Sequence, residues 1–374
     1  MLTSTDVFVI GGGPAGLAAA IAARKRGLSV IVADGAQPPL DKACGEGLMP
    51  VALAVADRLG IEFPAGIGFP LRGIHFIGAR DSVAANFSEG AGLAIRRTAL
   101  HTLLADQAAR HGVEMLWGAP AFYRAASRSD GDSVEIGGRR IRSRWIIGAD
   151  GGASSIRRWA GLDKFRCDKT RFGFRRHYAV QPWTSYVEIH WGEGCQFYIT
   201  PISRQEVGVA LLSRDSHLRV QDALPRFPEL AHRLANAEAT SRERGGCSSA
   251  RRLERVTQGR VALVGDASGS VDAITGDGIT MAFQQAEALA EALTADDLNL
   301  YEAEHRRISL RPAYMGELLL TLDRYPRLRT RALRALASRP ALFADLLALH
   351  TGSHKSVINF ARIAAALSWR LVAV

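Results

Sequence analysis

The sequence predicts an α/β protein: a parallel sheet layered with helices, interrupted by an antiparallel β-sheet and followed by C-terminal helices. Three observations predict this class. The apolar run Val7–Ala20 contains glycines at the spacing of a strand, a tight turn and a helix start. Four alternating segments between residues 172 and 212 have no helical segment between them. Helical periodicity then continues from Leu298 onward.

The glycines of the first segment follow the pattern G-x-G-x-x-G at Gly11, Gly13 and Gly16. The first permits the turn, the second lets the backbone approach a pyrophosphate, and the third allows the helix to pack closely on the strand. Pro14 and Ala15 suit the first helical turn, whose free N–H groups bind phosphate. The pattern predicts a Rossmann-like dinucleotide site, and we expect these five residues to contact the cofactor.

An acidic residue supports this interpretation. Asp34 follows the second predicted strand, Leu28–Ala33, about twenty residues beyond the glycines, where an acid binds the adenosine ribose hydroxyls. A glycine-rich turn without a ligand is the alternative, but strand, helix, second strand and acid all agree. The motif alone does not distinguish NAD from FAD.

Composition excludes several other classes. The net charge is +10, but the basic residues are scattered and only 5 of 47 are lysine, which indicates a GC-rich genome rather than nucleic-acid binding. No C-x-x-C pair occurs, so neither a metal site nor a disulfide framework is expected. No basic segment precedes the first strand, and glycines and a proline interrupt the apolar run that follows, so we expect neither a signal peptide nor a membrane span in this segment. These features predict a reducing, cytoplasmic location.

The first half of the chain continues the sheet and makes one excursion from it. Glycines and prolines predict a long loop over residues 35–50. Periodicity then predicts helices at Val51–Leu59 and Thr98–Arg110, and strands at Ile74–Ile77, Val83–Phe87, Val113–Trp117, Ala121–Ala126, Ser133–Ile136, Arg140–Arg142 and Trp145–Ile147.

The second half begins with the antiparallel sheet and returns to helices. The four alternating strands are predicted at Phe172–Val180, Ser185–Trp191, Gln196–Thr200 and Glu206–Leu212. A continuous helix over Leu218–Glu238, a buried strand at Arg260–Val264 and a helix at Ile279–Leu293 follow, before the C-terminal helices.

Two further motifs follow predicted strands: DGGASSIR at Asp150–Arg157 and VGDASG at Val264–Gly269. Together with the glycine motif, in this order, they resemble the group A flavoprotein monooxygenases, the p-hydroxybenzoate hydroxylase-like FAD-dependent oxidoreductases. The wider superfamily also contains geranylgeranyl reductases and flavin-dependent halogenases. The resemblance covers residues 6 to about 295 and implies bound FAD.

The resemblance also implies the domain organisation. We expect a Rossmann-like FAD-binding domain with an inserted antiparallel β-sheet substrate domain and C-terminal helices. The FAD-binding domain is expected at 1–70, 93–162 and 255–297, the substrate domain at 71–92 and 163–254, and the helical region at 298–374.

The motifs assign cofactor contacts. Asp266, beside a glycine at a strand end, can meet a ribityl hydroxyl, and Asp150 holds the corresponding place in the other motif. Gly276, Gly278 and Ile279 begin a helix whose positive end would favour the negative charge of a reduced flavin. As separate turns, the two acids would more often be simple caps.

Family position adds contacts from two other segments. Arg97, in an R-x-x-L pattern, is expected at the phosphates or ribityl chain, although the adjacent Arg96 could be confused with it. The loop 41–50 resembles the K-x-C-G-E-G-L segment of the reductases and halogenases, which places Lys42, Cys44 and Gly45 along the flavin. Cys44 is thus a candidate catalytic residue, its alternative being a small buried thiol.

Two patterns bear on the reaction. Ala273 stands where relatives often have a proline that backs the flavin, which puts oxygen handling in doubt. Gln196, Tyr198 and Thr200 share a strand face that is more polar than a prenyl-chain tunnel requires, and Tyr198 is a candidate catalytic residue. This polarity favours a hydroxylase over a reductase.

Two histidines of the predicted antiparallel sheet could act as bases. Histidine side chains can act as bases near neutral pH, so His177 and His190 could activate a phenol, although a structural histidine is the commoner case. His190 shares a strand face with Glu188, whereas Ile189 and Trp191 form the other, and the sequence does not show which face lines the pocket.

The resemblance favours an NAD(P)H-dependent monooxygenase of secondary metabolism that uses molecular oxygen and a C4a-hydroperoxyflavin to hydroxylate a hydrophobic aromatic, phenolic substrate. The alternative is a geranylgeranyl-reductase-like enzyme that saturates isoprenoid double bonds. A halogenase or a non-catalytic flavin-binding protein ranks third. The C-terminal helices either pack as core or roof a substrate entrance and contact a membrane peripherally, and the oligomeric state is left open.

Overall fold

The protein's architecture is given by a computed structural model that describes residues 4–124, 133–167 and 170–352. Its helices are α1 (Pro14–Lys25), α2 (Pro50–Leu59), α3 (Arg97–Arg110), α4 (Ser155–Trp159), α5 (Val220–Ala223), α6 (Pro228–Leu234), α7 (Gly278–Thr294), α8 (Leu298–Arg324), α9 (Pro326–Ala337) and α10 (Pro340–Thr351). Its first eleven strands are β1 (Ser4–Ile10), β2 (Val30–Asp34), β3 (Gly47–Leu48), β4 (Phe69–Leu71), β5 (Gly73–Ile77), β6 (Ser82–Asn86), β7 (Gly92–Ala94), β8 (Glu114–Trp117), β9 (Ala121–Arg124), β10 (Ser133–Ile136) and β11 (Arg139–Gly148). The later strands are β12 (Phe165–Cys167), β13 (Arg171–Ala179), β14 (Tyr186–Trp191), β15 (Cys195–Ser203), β16 (Glu206–Ser213), β17 (Glu238–Ala239), β18 (Arg244–Ser248), β19 (Arg251–Leu253), β20 (Thr257–Gln258) and β21 (Val261–Leu263).

The first sheet has the strand order β20-β21-β11-β1-β2-β8, and the pairs from β21 to β8 are parallel. Parallel strands buried on both faces need apolar runs, which β1 and β2 supply. The alanine-rich helix α1 packs between this sheet and its helical neighbours α3 and α7 because its small side chains permit close approach. The predicted α/β class is confirmed. The carboxyl ends of its strands meet at one edge, where ligands bind in such sheets.

Strand β11 corrects one sequence expectation. The sequence predicted two separate strands, Arg140–Arg142 and Trp145–Ile147, where the structure has one. Its first half pairs antiparallel with β10, and its second half pairs parallel with β1 and β21. The alternation of buried and exposed side chains continues through the middle, so the strand leaves the hairpin and enters the central sheet without a break.

The second sheet has the order β17-β13-β16-β15-β14-β5-β6. Every pair is antiparallel except β14 with β5, which comes from a much earlier part of the chain. One face of this sheet, which we call the outer face, packs on α5 and α6. The opposite face, the inner face, packs on α8, α9 and α10. The sheet is therefore covered by helices on both sides.

The helix predicted over Leu218–Glu238 is interrupted, which is a second correction. It splits into α5, a short 3₁₀ turn at Leu224–Arg226, and α6. Pro225 and Pro228 lack the N–H that a continuous helix needs, and each restricts the residue before it. The apolar periodicity survives because Leu230 and Leu234 still face the sheet.

The C-terminal helices cover the inner face. Helices α9 and α10 begin at Pro326 and Pro340, which suit a first helical position. Phe343 and Leu347 of α10 are buried against the sheet, so the described part of this region packs as core. The predicted apolar segment Lys355–Val374 lies outside the described residues. Within residues 4–124, 133–167 and 170–352, no helix combines the length and the apolar character needed to cross a membrane.

Candidate functional site

The turn between β1 and α1 is built by its glycines. Gly11 has φ +114°, and a Cβ on it would lie 2.3 Å from the Ala149 carbonyl oxygen. A Cβ on Gly16 would lie 1.9 Å from the Gly11 oxygen, so the helix approaches the strand as closely as backbone allows. Gly13 differs, because a Cβ there would meet only Arg97 Nη2, at 4.0 Å. Its neighbouring space is open, as a pyrophosphate requires.

Three other predicted contact positions border open space. Gly45, Gly276 and Gly278 each have no atom within 4 Å of an added Cβ. Arg97 contributes a buried Nε without a hydrogen-bond partner. Open backbone and an unpaired guanidinium donor together fit a phosphate-bearing dinucleotide such as FAD. Gly278 begins α7, whose free N–H groups face outward at the same edge.

Asp34 stands at the end of β2, where the sequence places it. Its Oδ2 accepts a hydrogen bond from Gly12 N at 2.8 Å, and its Oδ1 accepts one from Ala36 N at 2.8 Å. The carboxylate thereby fixes the glycine turn next to the expected adenosine position. The ring of Trp117 lies against Gly12 and closes that side.

The two motif acids differ in their surroundings. Asp150 accepts hydrogen bonds from Ser155 N at 2.6 Å and Ile156 N at 3.2 Å, so it caps α4. Its contact with the cofactor therefore stays a prediction. Asp266 accepts a hydrogen bond from Lys42 Nζ at 2.7 Å, and both side chains are partly exposed at the cleft. The structure thus brings together two predicted residues from segments 224 positions apart.

The loop that carries Lys42 and Cys44 is held by Glu46, to which the sequence assigned no role. Glu46 has φ +59° and is only 3% exposed. Its Oε1 accepts a hydrogen bond from Arg97 N at 2.8 Å, and its Oε2 lies 2.6 Å from His177 Nε2. A buried non-glycine residue in the left-handed region is held there by its surroundings. Glu46 therefore links the loop to α3 and to the second sheet.

A second layer supports that carboxylate. Arg175 is buried, pairs with Asp41, and places its Nε 3.7 Å from Glu46 Oε1. His177 Nδ1 lies 2.8 Å from Ser241 Oγ. The predicted base His177 is thus part of a buried hydrogen-bonded network with Glu46 and Ser241. No sequence signal marked Arg175, because arginine is abundant throughout the chain.

The structure also separates two adjacent arginines. Arg96 pairs with Glu206 and Thr240 of the second sheet. Arg97 points toward Gly13 at the glycine turn. Arg97 is therefore the residue of this pair that lies beside Gly13, and its contact with a phosphate stays a prediction.

Cys44 is half-buried beside these groups. Glu46 N lies 3.4 Å from its Sγ, and burial raises the pKa of the Cys44 thiol. The carbonyl of the adjacent Gly45 accepts a hydrogen bond from Thr200 Oγ1 at 2.8 Å. The inner face of β15 therefore abuts the loop at Cys44, and the thiol is protonated at neutral pH.

The two remaining catalytic candidates lie on opposite faces of the second sheet. Tyr198 is on the inner face, where its hydroxyl donates to the Ile274 carbonyl at 2.9 Å. His190 is paired in register with Phe197, and Phe197 packs on the outer face. Directly paired residues share a face, so His190 points away from Tyr198 and from the loop at Cys44. The structure therefore does not bring His190 into the same site.

His190 instead belongs to a buried cluster on the outer face. Glu188 Oε2 lies 3.0 Å from His190 Nε2 and accepts a hydrogen bond from Trp183 Nε1 at 3.0 Å, while His75 Nδ1 lies 3.6 Å from Oε1. Burial alone would raise the pKa of the Glu188 carboxyl. The hydrogen bonds from His190, His75 and Trp183 outweigh burial and lower that pKa to about 2.

A pH-dependent stability contribution follows. The pKa of the Glu188 carboxyl is lower in the folded protein than in the unfolded protein. The ionised carboxylate therefore stabilises the fold at pH values above the unfolded pKa, and this contribution is lost as the pH falls toward about 2. We expect Glu188→Gln to lower the free energy of unfolding by about 3 kcal/mol near pH 6, and the difference from wild type to shrink between pH 5 and pH 2. Denaturant titrations across pH measure it. Glu287→Gln, which removes a surface pair with Arg58, is the control with a small expected effect. An unchanged difference at every pH would contradict the assignment.

Comparisons with known proteins agree with this geometry. Residues 4–299 match the family described as FAD binding domain. The chain belongs to this family. The menaquinone reductase of Mycolicibacterium smegmatis is 29% identical over 358 residues, 87% of each chain. Digeranylgeranylglycerophospholipid reductase 1 of Methanothermobacter thermautotrophicus is 28% identical over 75% of this chain and 74% of its own.

A solved structure shows the same fold. A flavoprotein/dehydrogenase from Cytophaga hutchinsonii superposes with a TM-score of 0.83 at 18% identity, covering 98% of this chain and 99% of its own. Membership of the FAD binding domain family and these reductase-named relatives make the chain an FAD-dependent oxidoreductase. The predicted cofactor FAD and enzyme class are confirmed at this level.

Proposed function

We propose that this flavoprotein reduces a carbon–carbon double bond of an isoprenoid substrate. The observation that carries the proposal is the half-buried, protonated Cys44 on the loop that faces the flavin side of the site. The names of both curated relatives state reduction, of menaquinone and of a digeranylgeranyl lipid, and both compounds carry isoprenoid chains. This is the alternative of the sequence analysis rather than its first choice.

In the proposed reaction, one group of residues binds the cofactor and another residue donates a proton. Gly13 and Arg97 would hold the pyrophosphate of FAD, Asp34 would hold the adenosine ribose, and Asp266 with Lys42 would hold the ribityl side. Bound FAD, when reduced with NAD(P)H as the expected reductant, supplies a hydride. Saturating the double bond also needs one proton at the second carbon. Cys44 Sγ–H donates that proton, because its raised pKa keeps the thiol protonated until it is needed.

A hydroxylase remains the second candidate, and one observation favours it. Gln196, Tyr198 and Thr200 are buried on the inner face of β15, and the last two hydrogen-bond to the backbone of Ile274 and Gly45. A strand face with three polar side chains suits a phenolic ring better than a hydrocarbon chain. Molecular oxygen would then be a substrate. Burial raises the pKa of the Tyr198 hydroxyl, so this residue is a hydrogen-bond donor rather than a base.

The domain division and cellular placement stay proposals. We assign cofactor binding to residues 1–70, 93–162 and 255–297, and substrate binding to 71–92 and 163–254 with the inner helices. A cytoplasmic location with peripheral membrane contact through the C-terminal region suits an enzyme whose isoprenoid substrate partitions into membranes.

The deciding experiment follows the substrate's mass. FAD-loaded protein, reduced without oxygen, is incubated with a prenylated naphthoquinone, and the product is analysed by mass spectrometry. A gain of two hydrogens in the prenyl chain supports the reductase. A gain of one oxygen, seen only with NAD(P)H and air, would establish the hydroxylase instead.

Cys44→Ala tests the proton donor. We expect about a 10²- to 10⁴-fold loss of double-bond reduction, the usual contribution of a general acid, while FAD binding and flavin reduction are unchanged. Cys195→Ala is the matched control, because it removes another buried thiol with a raised pKa on the outer face. Equal rates for both variants would contradict the role of Cys44.

A further inference from the structure

The inner face holds a cluster of buried charged side chains beyond the loop at Cys44. Arg171 Nη1 lies 3.4 Å from Asp272 Oδ1, and its Nη2 lies 3.4 Å from Gln196 Oε1. Gln196 Nε2 donates to Asp323 Oδ1 at 2.9 Å, and Asp323 also pairs with Arg214. Burying charged side chains costs free energy unless they are paired and hydrogen-bonded.

Three buried donors of this cluster have no acceptor. Arg171 Nε, Trp191 Nε1 and Arg329 Nη1 lack hydrogen-bond partners, although the three residues are 2%, 6% and 7% exposed. Trp191 pairs in register with Gln196, and the Arg329 guanidinium lies 5.8 Å from the Trp191 ring centroid. The unpaired atoms here are all N–H groups. A complementary ligand must therefore bring an oxygen acceptor.

We propose that Arg171, Trp191 and Arg329 bind an oxygen acceptor at the ring end of the substrate, of the type found in a quinone carbonyl. The proposal rests on the proposed function, because it names how one end of that substrate is recognised. Gln196 at the cluster and Thr200 at the Cys44 loop are four residues apart on one strand, about 13 Å at the usual rise. One elongated substrate spans both ends.

The charges of this cluster determine which oxygen-bearing group it can bind. Asp272 and Asp323 lie within it and would repel a multiply charged group such as a diphosphate. The excess of positive charge is small, since Arg171, Arg214 and Arg329 face these two carboxylates. A neutral carbonyl needs no further compensation. The cluster therefore fits a quinone ring better than a prenyl diphosphate.

Binding measurements on the FAD-loaded protein test the site without relying on turnover. The probes are a naphthoquinone with a short prenyl chain, the same chain as an oxygen-free hydrocarbon, and the same chain as its diphosphate. Isothermal titration gives each dissociation constant. We expect the quinone to bind most tightly to the wild-type protein. If the hydrocarbon or the diphosphate binds as tightly as the quinone, the assignment is wrong.

Two variants test two of the three proposed donors, Trp191 and Arg329. We expect Trp191→Phe to weaken quinone binding about fivefold and Arg329→Met about tenfold or more, with hydrocarbon binding unchanged. Met matches the apolar stem of Arg329, and Asp323 keeps its partner Arg214, so this variant is expected to fold. Trp145→Phe is the matched control, because it removes another buried, unpaired indole N–H from the first sheet. If a variant weakens binding of the quinone and of the hydrocarbon equally, or weakens neither, the proposal is wrong.

The same measurements separate this inference from the proposed function. If the protein binds the quinone through these donors but does not saturate its chain, the proposed binding site is supported and the proposed reductase function is wrong. If the protein saturates isoprenoid chains but binds the oxygen-free hydrocarbon and the quinone with equal affinity, the reductase function is supported and the proposed binding site is wrong.

Discussion

Replacing Gly13 with valine is expected to abolish FAD binding while leaving the protein folded. A Cβ added at Gly13 meets no protein atom closer than Arg97 Nη2, at 4.0 Å, and the valine side chain would project into the space expected for the pyrophosphate. The expected result is a colourless, folded protein. Flavin absorbance of the purified and reconstituted variant, with circular dichroism for folding, measures it.

The control uses a glycine whose added side chain also has room. Gly246→Val lies on the edge strand β18, where a Cβ meets only Ala43 Cβ at 3.7 Å and a β-branched residue suits the strand. We expect this variant to keep stoichiometric FAD. If Gly13→Val kept it too, the pyrophosphate would lie elsewhere.

The second large effect is expected at Glu46. Glu46→Leu removes the acceptor of Arg97 N and His177 Nε2 and leaves Arg175 with Asp41 alone. Breaking a buried ion pair by removing one partner costs about 3–5 kcal/mol. We expect a loss of this size in the free energy of unfolding, measured by urea titration of the FAD-loaded protein.

A double-mutant cycle separates the network from simple loss of volume. The single variant Glu46→Leu leaves a buried His177 without its partner, whereas the double variant Glu46→Leu/His177→Leu does not. We therefore expect the double variant to be more stable than the sum of the two single losses predicts. The pair makes a 2.6 Å contact and both residues are buried, which favours a large coupling energy. Additive losses would show that the two side chains act independently.

Local patterns were sufficient for much of the cofactor half. The glycine turn depends on backbone geometry within six residues, and Asp34 follows from the fixed length of one strand–helix–strand unit. The R-x-x-L pattern selected Arg97, but only the tertiary structure shows that the neighbouring Arg96 is paired with Glu206. Glu46 was visible within the quoted loop segment, but its carboxylate acts through partners 51 and 131 positions away.

What the sequence by itself determined is the α/β class, the dinucleotide turn and the FAD-binding family resemblance, because each rests on short-range spacing of glycines, apolar residues and acids. The tertiary structure alone decided which face of the second sheet meets the loop 41–50. Strand alternation defines two faces but not which one is covered, and the packing of α8 to α10 made that choice. This packing places Tyr198 on the inner face and His190 on the outer face. It also brings together Arg171, Trp191 and Arg329 from three elements, whose unpaired N–H donors no local sequence pattern could reveal.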